Sequence, residues 1–217
     1  MNISYAITVC NESKELYSLI AFLIKVKDRD DEINILVDSL HVTNAVNSVL
    51  NYFKDSIIIN KRDFCGNFAA HRNYHLSKCN GDYIFVVDAD EMPKEKLIKN
   101  IKSMIGESGS DLIMVPRINI HPGATEEWLK KCNFKVNEFE WINWPDYQGR
   151  IFKNDPTTIR YDRDLHEMIS GATKPVALQA DPSLALWHIK TVEKQDIRWD
   201  DGKYVSPDEN TFYDSLM

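Results

Sequence analysis

Short apolar runs alternate with amphipathic stretches through the first half of the chain. The runs are rich in β-branched residues and predict strands at residues 3–9, 33–37, 56–59, 83–87 and 111–116. Between them, apolar residues recur at the spacing of a helix face, which predicts helices after Ser13, over 44–53 and over 69–77. Strands that alternate with helices in this way are typical of a parallel sheet built from βαβ units.

The second half of the chain loses this alternation and becomes rich in aromatic side chains. One interpretation is a second, partly antiparallel layer in which these rings complete the core. A sugar face also stacks well on an aromatic ring, while its hydroxyl groups need fixed polar partners. Trp141, Trp144 and Tyr147 are therefore our candidates for binding a carbohydrate acceptor.

Composition and charge argue against several classes of protein. A chain of 217 residues can form one large α/β domain, and its formal net charge of −7, without a dense Lys/Arg patch, argues against nucleic-acid binding. No apolar run approaches the roughly 20 residues needed to cross a bilayer, and the first residues lack the pattern of a signal peptide. We expect a cytoplasmic protein with no membrane span, for which peripheral membrane association stays open. The four cysteines lie far apart and without zinc-site spacing, so we expect free thiols.

Three carboxylates follow the strand predicted at 83–87 within four positions: Asp88, Asp90 and Glu91. Side chains alternate along a strand, so Asp88 and Asp90 leave its end on the same side. Clustered like charges beside a buried strand are unfavourable, and a divalent cation removes the conflict. Mg²⁺ or Mn²⁺, completed by substrate phosphates, is the usual occupant of such a cluster. The alternative is an acidic turn in which Glu91 and Pro93 open a helix at 94–102.

Several polar side chains stand where the predicted parallel strands end. Ligands of such open sheets bind outside the carboxyl ends of the strands. The residues at those ends are Thr8, Cys10, Asn11, Asp38, Asp88 and Asp90. The sequence therefore predicts a ligand site at this edge of the sheet.

Four segments in this order resemble the nucleotide-sugar domain of family 2 glycosyltransferases, which has the GT-A fold: residues 6–12, 35–39, 66–73 and 81–91. Residues 144–152 and 165–167 resemble the subgroup that acts on surface polysaccharide or lipopolysaccharide-core acceptors. The resemblance implies an α/β fold with a mostly parallel central sheet and a smaller antiparallel layer on the acceptor side. It also implies one domain over 1–190, with the nucleotide-sugar half at 1–95 and the acceptor half at 96–190. Residues 191–217 are then a tail or a linker.

The resemblance implies transfer of a sugar from a nucleotide-diphospho-sugar, a UDP-sugar, to a carbohydrate or glycoconjugate acceptor, with inversion. The donor is then held by residues in the nucleotide-sugar half: Thr8, Asn11, Glu12, Asp38, Arg72 and Asp88. An arginine such as Arg72 can meet a diphosphate oxygen bidentately, or it can be an exposed charge on a helix face. Asp88 and Asp90 carry the metal, Mn²⁺ or Mg²⁺, and His188 is a candidate third ligand, with a core or surface histidine as the alternative.

An inverting displacement needs a base for the acceptor hydroxyl on the face opposite the leaving group. Glu167 is the first candidate and Asp146 the second. His166 could orient Glu167, or Glu167 could merely pair with Arg150 or Arg163.

Other functions fit the same residues less well. A phosphotransferase that uses D-x-D as its nucleophile would carry the motif after the first strand, where this chain has Cys10 and Asn11. A nucleotidyltransferase would place a Gly-rich, basic phosphate loop after Val9. A non-catalytic module that binds a nucleotide-sugar or a carbohydrate is the main alternative, although it has no evident need for a metal-diphosphate site.

Overall fold

One large sheet carries the fold in the computed structural model, which describes residues 1–164 and 167–192. The strands, in chain order, are β1 (Ile3–Val9), β2 (Glu32–Asp38), β3 (Ile58–Arg62), β4 (Tyr83–Asp88), β5 (Glu91–Pro93), β6 (Leu112–Ile120), β7 (Ile142–Lys153), β8 (Arg160–Asp162), β9 (Met168–Ser170), β10 (Pro175–Ala177) and β11 (Leu186–Ile189). The helices are α1 (Ser13–Val26), α2 (Asn44–Tyr52), α3 (Phe68–Leu76), α4 (Glu95–Ser108) and α5 (Glu126–Lys131), with a 3₁₀ turn at Pro182–Leu184. Among the described helices, none has the length and apolar character to span a bilayer.

The order of the strands brings the ends of β1 and β4 together. Within the described residues the sheet has nine strands in the order β3-β2-β1-β4-β7-β6-β11-β5, with β10 beside β6. The pairs β3-β2, β2-β1 and β1-β4 are parallel, so the chain winds outward from β1 in both directions. β7 runs antiparallel between β4 and β6, and β8 and β9 form a small antiparallel sheet. The predicted α/β class, with a mostly parallel central sheet and a smaller antiparallel layer, is confirmed.

The two faces of β1 belong to two apolar clusters. Tyr5 and Ile7 pack on the α1 side with residues such as Leu19, while Ala6 faces the α3 side with residues such as Leu76. All five side chains are nearly or fully buried, as expected of a central parallel strand with helices on both faces. Each large apolar side chain buried here stabilises the fold by about 1.5 to 3 kcal/mol.

Several element bounds differ from the sequence prediction. The third strand lies at Ile58–Arg62 rather than 56–59, because Ser56 closes a turn by donating its N–H to the carbonyl of Phe53. As an edge strand that pairs only with β2, it tolerates polar residues and exposes Ile58 and Ile59. The strand predicted at 111–116 continues to Ile120.

The helix that the alternative interpretation predicted at 94–102 lies at Glu95–Ser108, but Glu91 and Pro93 do not open it. Glu91–Pro93 forms β5 and pairs antiparallel with β11, with His188 opposite Glu91. The helix that follows begins at Glu95 and is ended by Gly109, whose φ of 58° is in the left-handed region. The predicted single domain over 1–190 stays a prediction, and most of the predicted tail, residues 193–217, lies outside the described residues.

The glycine before β4 is required by a close approach of two backbones. A Cβ at Gly81 would lie 2.6 Å from the amide nitrogen of Ser4 and 2.8 Å from the carbonyl carbon of Ile3. Gly81→Ala is therefore expected to lower the free energy of unfolding by about 1 to 3 kcal/mol, since the backbone must shift. Gly106→Ala is the matched control, because nothing lies within 4 Å of its Cβ position in α4, and it should raise stability by about 0.5 to 1 kcal/mol. Urea denaturation of both variants measures the difference, and equal effects would contradict the close approach.

Candidate functional site

A cleft of about 210 Å³ opens where β1, β2 and β4 end. Thr8 and Asp88 are register neighbours on β1 and β4, so the parallel topology brings them together. The cleft is lined by Thr8, Val9, Cys10, Glu12, Asp38, Phe64, Phe68, His71, Arg72, Asp88, Ala89 and Asp90. Most of the predicted donor and metal residues therefore face one space, and Asn11 lies beside it in the β1–α1 loop.

Two carboxylates hold the loops that border the cleft. Glu12 accepts the backbone N–H groups of Cys10 and Asn11 at 3.2 and 3.1 Å, which closes the turn after β1. Asp38 accepts the N–H groups of Leu40 and Phe64, both at 3.1 Å, and its other oxygen lies 2.5 Å from Nδ1 of His41. Much of the hydrogen-bonding capacity of Asp38 is therefore used within the protein.

Arg72 is aimed at the D-x-D strand by the start of α3. Asn67 caps this helix by accepting the N–H of Ala70 at 2.7 Å. Arg72 then follows in the next turn, where its Nη2 donates to Oδ1 of Asp88 at 2.8 Å and its Nε donates to Oε1 of Glu167 at 2.6 Å. The alternative of an exposed helix charge is thus wrong for Arg72, whose side chain is 15% exposed.

These contacts continue as an alternating series of charges that we call the charged chain: Glu167, Arg72, Asp88, Arg150, Glu91, Arg117 and Asp146. Nη2 of Arg150 lies 2.7 Å from Oδ2 of Asp88 and 2.5 Å from Oε1 of Glu91. Nη1 of Arg117 lies 3.0 Å from the same Glu91 oxygen, and its Nη2 lies 2.7 Å from Oδ2 of Asp146. The two candidate bases are therefore the two ends of one connected network.

The arginines favour the ionised form of two acids of the charged chain, Asp88 and Asp146. Burial would raise the pKa of Asp88, but the charges of Arg150 and Arg72 outweigh it and hold that pKa well below its usual range. Burial also opposes ionisation of Asp146, and the charge of Arg117 and a hydrogen bond from Asn119 lower its pKa. Desolvation of this kind is tolerated only because each charge has a partner of opposite sign.

One expectation about the partners of Glu167 needs correction. Glu167 pairs with Arg72, and the contacts expected as alternatives, with Arg150 or Arg163, do not form: Arg150 binds Asp88 and Glu91 instead. The strand register explains this, because β7 places Arg150 beside β4, where it binds Oδ2 of Asp88 while Arg72 binds Oδ1. His166, the proposed partner of Glu167, lies outside the described residues.

His188 lies next to the second aspartate of the motif. Its Nε2 is 3.6 Å from Oδ2 of Asp90, and its Nδ1 is 2.9 Å from Oδ1 of Asn119. Among residues 1–164 and 167–192, no three histidine, cysteine, aspartate or glutamate side chains come together as a metal site. Both oxygens of Asp88 accept hydrogen bonds from guanidinium groups, Oδ1 from Arg72 and Oδ2 from Arg150.

The aromatic candidates fall into two places. Trp141 lies 5.2 Å from Trp144 and 6.1 Å from Trp187, measured between ring centroids, and Nζ of Lys94 lies 4.1 Å above the ring of Trp187. Tyr147 instead donates its hydroxyl to the carbonyl of Leu178 at 2.8 Å. The structure therefore groups two of the three predicted acceptor residues and adds Trp187, the neighbour of His188.

The sequence profile described as Glycosyl transferase family 2 matches residues 4–164. The chain belongs to glycosyl transferase family 2. A search of curated proteins found no match.

Solved structures of S. aureus TarS share the fold of this family 2 chain. TarS 1-349 in complex with UDP-GlcNAc has a TM-score of 0.61 at 15% identity, covering 100% of this chain and 64% of that one. TarS 1-349 in complex with UDP has a TM-score of 0.58 at 14% identity, covering 90% and 62%. A structure titled only S. aureus TarS has a TM-score of 0.61 at 13% identity, covering 88% and 37%. The GT-A fold is confirmed, and the chain spans between 37% and 64% of the length of these proteins.

Sequence reasoning missed Arg117 and placed Arg150 wrongly. The available signal was an arginine next to apolar strand residues, in Val115-Pro116-Arg117-Ile118 and again in Arg150-Ile151-Phe152. A charged residue that a strand pattern buries needs a partner of opposite charge. The buried Glu91 of this family 2 chain supplies that partner to both arginines.

Unpaired polar atoms are concentrated in the cleft. Among the described residues, eight buried side-chain nitrogen and oxygen atoms have no hydrogen-bond partner, and four of them belong to Thr8, His71 and Arg72. Buried polar groups are normally paired, so such a concentration is typical of a place where a ligand supplies the partners.

Glu91→Gln tests the charged chain. Replacing the one carboxylate between Arg117 and Arg150 takes from each guanidinium one of its two carboxylate partners, so the free energy of unfolding should fall by about 1 to 3 kcal/mol. Glu126→Gln is the control, since that glutamate is 92% exposed and lies 3.8 Å from Lys130; it should change stability by no more than about 0.5 kcal/mol. Denaturant titration of both variants measures the two changes in the free energy of unfolding. Two equally small changes would mean that Glu91 does not stabilise the charged chain.

Proposed function

We propose that this family 2 chain transfers a sugar from a UDP-sugar to a carbohydrate or glycoconjugate acceptor, with inversion. The observation that carries the proposal is the cleft at the ends of β1, β2 and β4, where Arg72, Asp88 and Asp90 meet beside unpaired polar atoms. Family membership supports the reaction class. The complexes of TarS with UDP-GlcNAc and with UDP support a uridine nucleotide as the donor carrier.

Asp90 and His188 are the residues of this chain that fit a divalent cation. Their facing atoms lie 3.6 Å apart, close enough to share one ion, whereas the oxygens of Asp88 are bound by arginines. Two protein ligands, with substrate phosphates and water completing the shell, are typical of Mg²⁺ and Mn²⁺ at phosphate sites. When bound, such a cation neutralises charge on the departing diphosphate. Asp88 then serves to orient Arg72 and Arg150.

Arg72 is our candidate for the protein's own contact with the diphosphate. Its Nε and Nη2 are held by Glu167 and Asp88, while its Nη1 is buried without a partner and the residue lines the cleft. A guanidinium fixed at one end is preorganised to donate from the other. This arrangement supports binding of an anionic group with little loss of side-chain freedom.

Glu167 is the better of the two candidate bases. Asp146 accepts hydrogen bonds from Arg117, Asn119 and Gln148, and its lowered pKa makes it a weak proton acceptor. Oε1 of Glu167 accepts from Arg72, whose Nη2 binds Asp88 at the cleft. We infer that Glu167 takes the proton of the acceptor hydroxyl and that Asp146 fixes Arg117.

The aromatic group supports a carbohydrate acceptor. Trp141, Trp144 and Trp187 form a connected set of rings, and Trp187 adjoins His188, which faces Asp90. A sugar stacked on these rings would lie on the side of the cleft where Asp90 stands. Tyr147 stays a candidate for the acceptor, with its hydroxyl donating to the carbonyl of Leu178.

Asp90→Ala tests the cation site. We expect it to abolish Mn²⁺-dependent binding and turnover of the donor while the fold survives, because a ligand is lost and repulsion with Asp88 is relieved. Release of UDP from UDP-GlcNAc, measured with and without Mn²⁺, gives the readout, and the exposed Asp30→Ala is the control. Full activity of Asp90→Ala, or of the unchanged protein in excess chelator, would contradict the proposed cation site. UDP-GlcNAc binding by the unchanged protein with no UDP release under any condition would favour the non-catalytic module.

Glu167→Gln and Asp146→Asn separate the two candidate bases. Glutamine keeps the shape of Glu167 but cannot take a proton, so transfer should fall by about 10² to 10⁴-fold while donor affinity persists. Asp146→Asn should be milder on transfer and should act on stability through Arg117. Transfer rates and UDP affinity are measured for both variants. The opposite ranking would exchange the two roles, and near-normal transfer in both would place the base elsewhere.

A further inference from the structure

One side chain in the cleft has no role in the chemistry above. His71 lies on α3, lines the cleft beside Arg72 and is only 4% exposed. Neither Nδ1 nor Nε2 of its ring has a hydrogen-bond partner. Leaving both nitrogens of a buried imidazole unpaired is costly, so a ligand of the cleft that hydrogen-bonds them would gain affinity.

The surroundings of His71 are flat and aromatic. The ring of Phe64 meets His71 edge-on at 5.4 Å between centroids, and Phe68 lies 4.6 Å from Phe64. All three residues line the cleft. Such a slot suits a planar ring that stacks on apolar faces and offers polar atoms at its edge, which describes a nucleobase.

The charge state of His71 fits a neutral ligand. Burial lowers its pKa to about 4, with Arg62 and Arg72 adding to the effect of burial and Asp38 opposing it. At neutral pH the imidazole is therefore uncharged, with one nitrogen as donor and the other as acceptor. A neutral imidazole offers no charge to a phosphate, whereas it offers the edge of a nucleobase both a donor and an acceptor.

The other polar groups near His71 have little capacity left to hydrogen-bond a nucleobase, with the exception of Thr8. Asp38, predicted from the sequence to contact the nucleotide, already accepts from Leu40 and Phe64 and pairs with His41. Thr8 also lines the cleft, and its Oγ1 is buried and unpaired. His71 and Thr8 are thus well suited to share the recognition of one ligand ring.

We propose that His71 is a specificity-determining residue that hydrogen-bonds the nucleobase of the donor while the base lies in the slot formed with Phe64 and Phe68. The proposal rests on the proposed function in one respect, that the ligand of the cleft is a nucleotide. It goes further by assigning selection of the base to a residue of α3, next to the arginine assigned to the diphosphate.

The test replaces the imidazole with an apolar side chain in two variants, His71→Phe and His71→Leu. If one variant does not fold, the other still gives the result. Dissociation constants for UDP, CDP, GDP and ADP are measured by calorimetry with Mn²⁺ present, alongside stability in urea. We expect stability to hold or rise, because two unpaired buried nitrogens are removed. The affinity for UDP should fall roughly tenfold or more, and the preference for UDP over GDP should shrink.

Two further variants sharpen the result. His71→Gln restores a donor and an acceptor and should recover part of the preference for UDP. His75→Phe, one turn along α3, removes a histidine that is hydrogen-bonded to Asn34 and does not line the cleft; it should lower stability and leave base preference unchanged.

Three outcomes would overturn the assignment of His71: unchanged UDP affinity in the apolar variants, an equal loss for all four nucleotides, or a glutamine variant as impaired as the leucine variant. Failure of the unchanged protein to bind any of the four nucleotides would instead refute the proposed function, and the inference with it.

Discussion

Four carboxylates and three guanidinium groups alternate through one connected strip of the molecule, and the placement of the surrounding strands depends on them. Asp88 ends β4, Glu91 begins β5, Arg117 lies on β6, Arg150 on β7 and Arg72 on α3. Taking any of these charges out of water is favourable only while its neighbours stay in place. The charged chain therefore fixes five elements relative to one another more strictly than apolar packing does. A leucine that is displaced loses contacts, whereas an arginine that is displaced leaves a buried charge without its partner.

This arrangement also connects the two residues proposed as bases through the D-x-D motif. Glu167 and Asp146 are the ends of the same series, and Asp88, between them, belongs to the D-x-D motif. Side chains in one hydrogen-bonded network do not respond independently when one of them changes. Replacing any member thus alters the charge felt by the others, so effects of single substitutions on binding and on transfer will not simply add.

The sequence was sufficient for the parallel half of the fold and for the meeting of Thr8, Asp38, Asp88 and Asp90. Parallel strands have their carboxyl ends at the same edge of the sheet. A correct prediction of the strands therefore also predicts which residues meet at that edge. The partners of Arg117 and Arg150 could not be obtained in this way. They depend on the register of β7 between β4 and β6, which is interrupted by two irregularities and set by contacts distant in sequence. The pairing of Glu91–Pro93 with β11 escaped prediction for the same reason.

The strand β7 bears on how this sequence can diverge. Gln148 donates to Asp146 at 2.8 Å, as expected of side chains two residues apart on one face of a strand. After Gln148 the pairing with β6 shifts by one residue: Gly149 lies opposite Met114 and Ile151 opposite Ile113, which leaves Arg150 as the extra residue of a bulge. A bulge re-aims a side chain, and from this position Arg150 reaches Glu91. Related chains that keep this network should accordingly keep the extra residue, because its deletion would restore regular pairing and take the arginine away from Glu91.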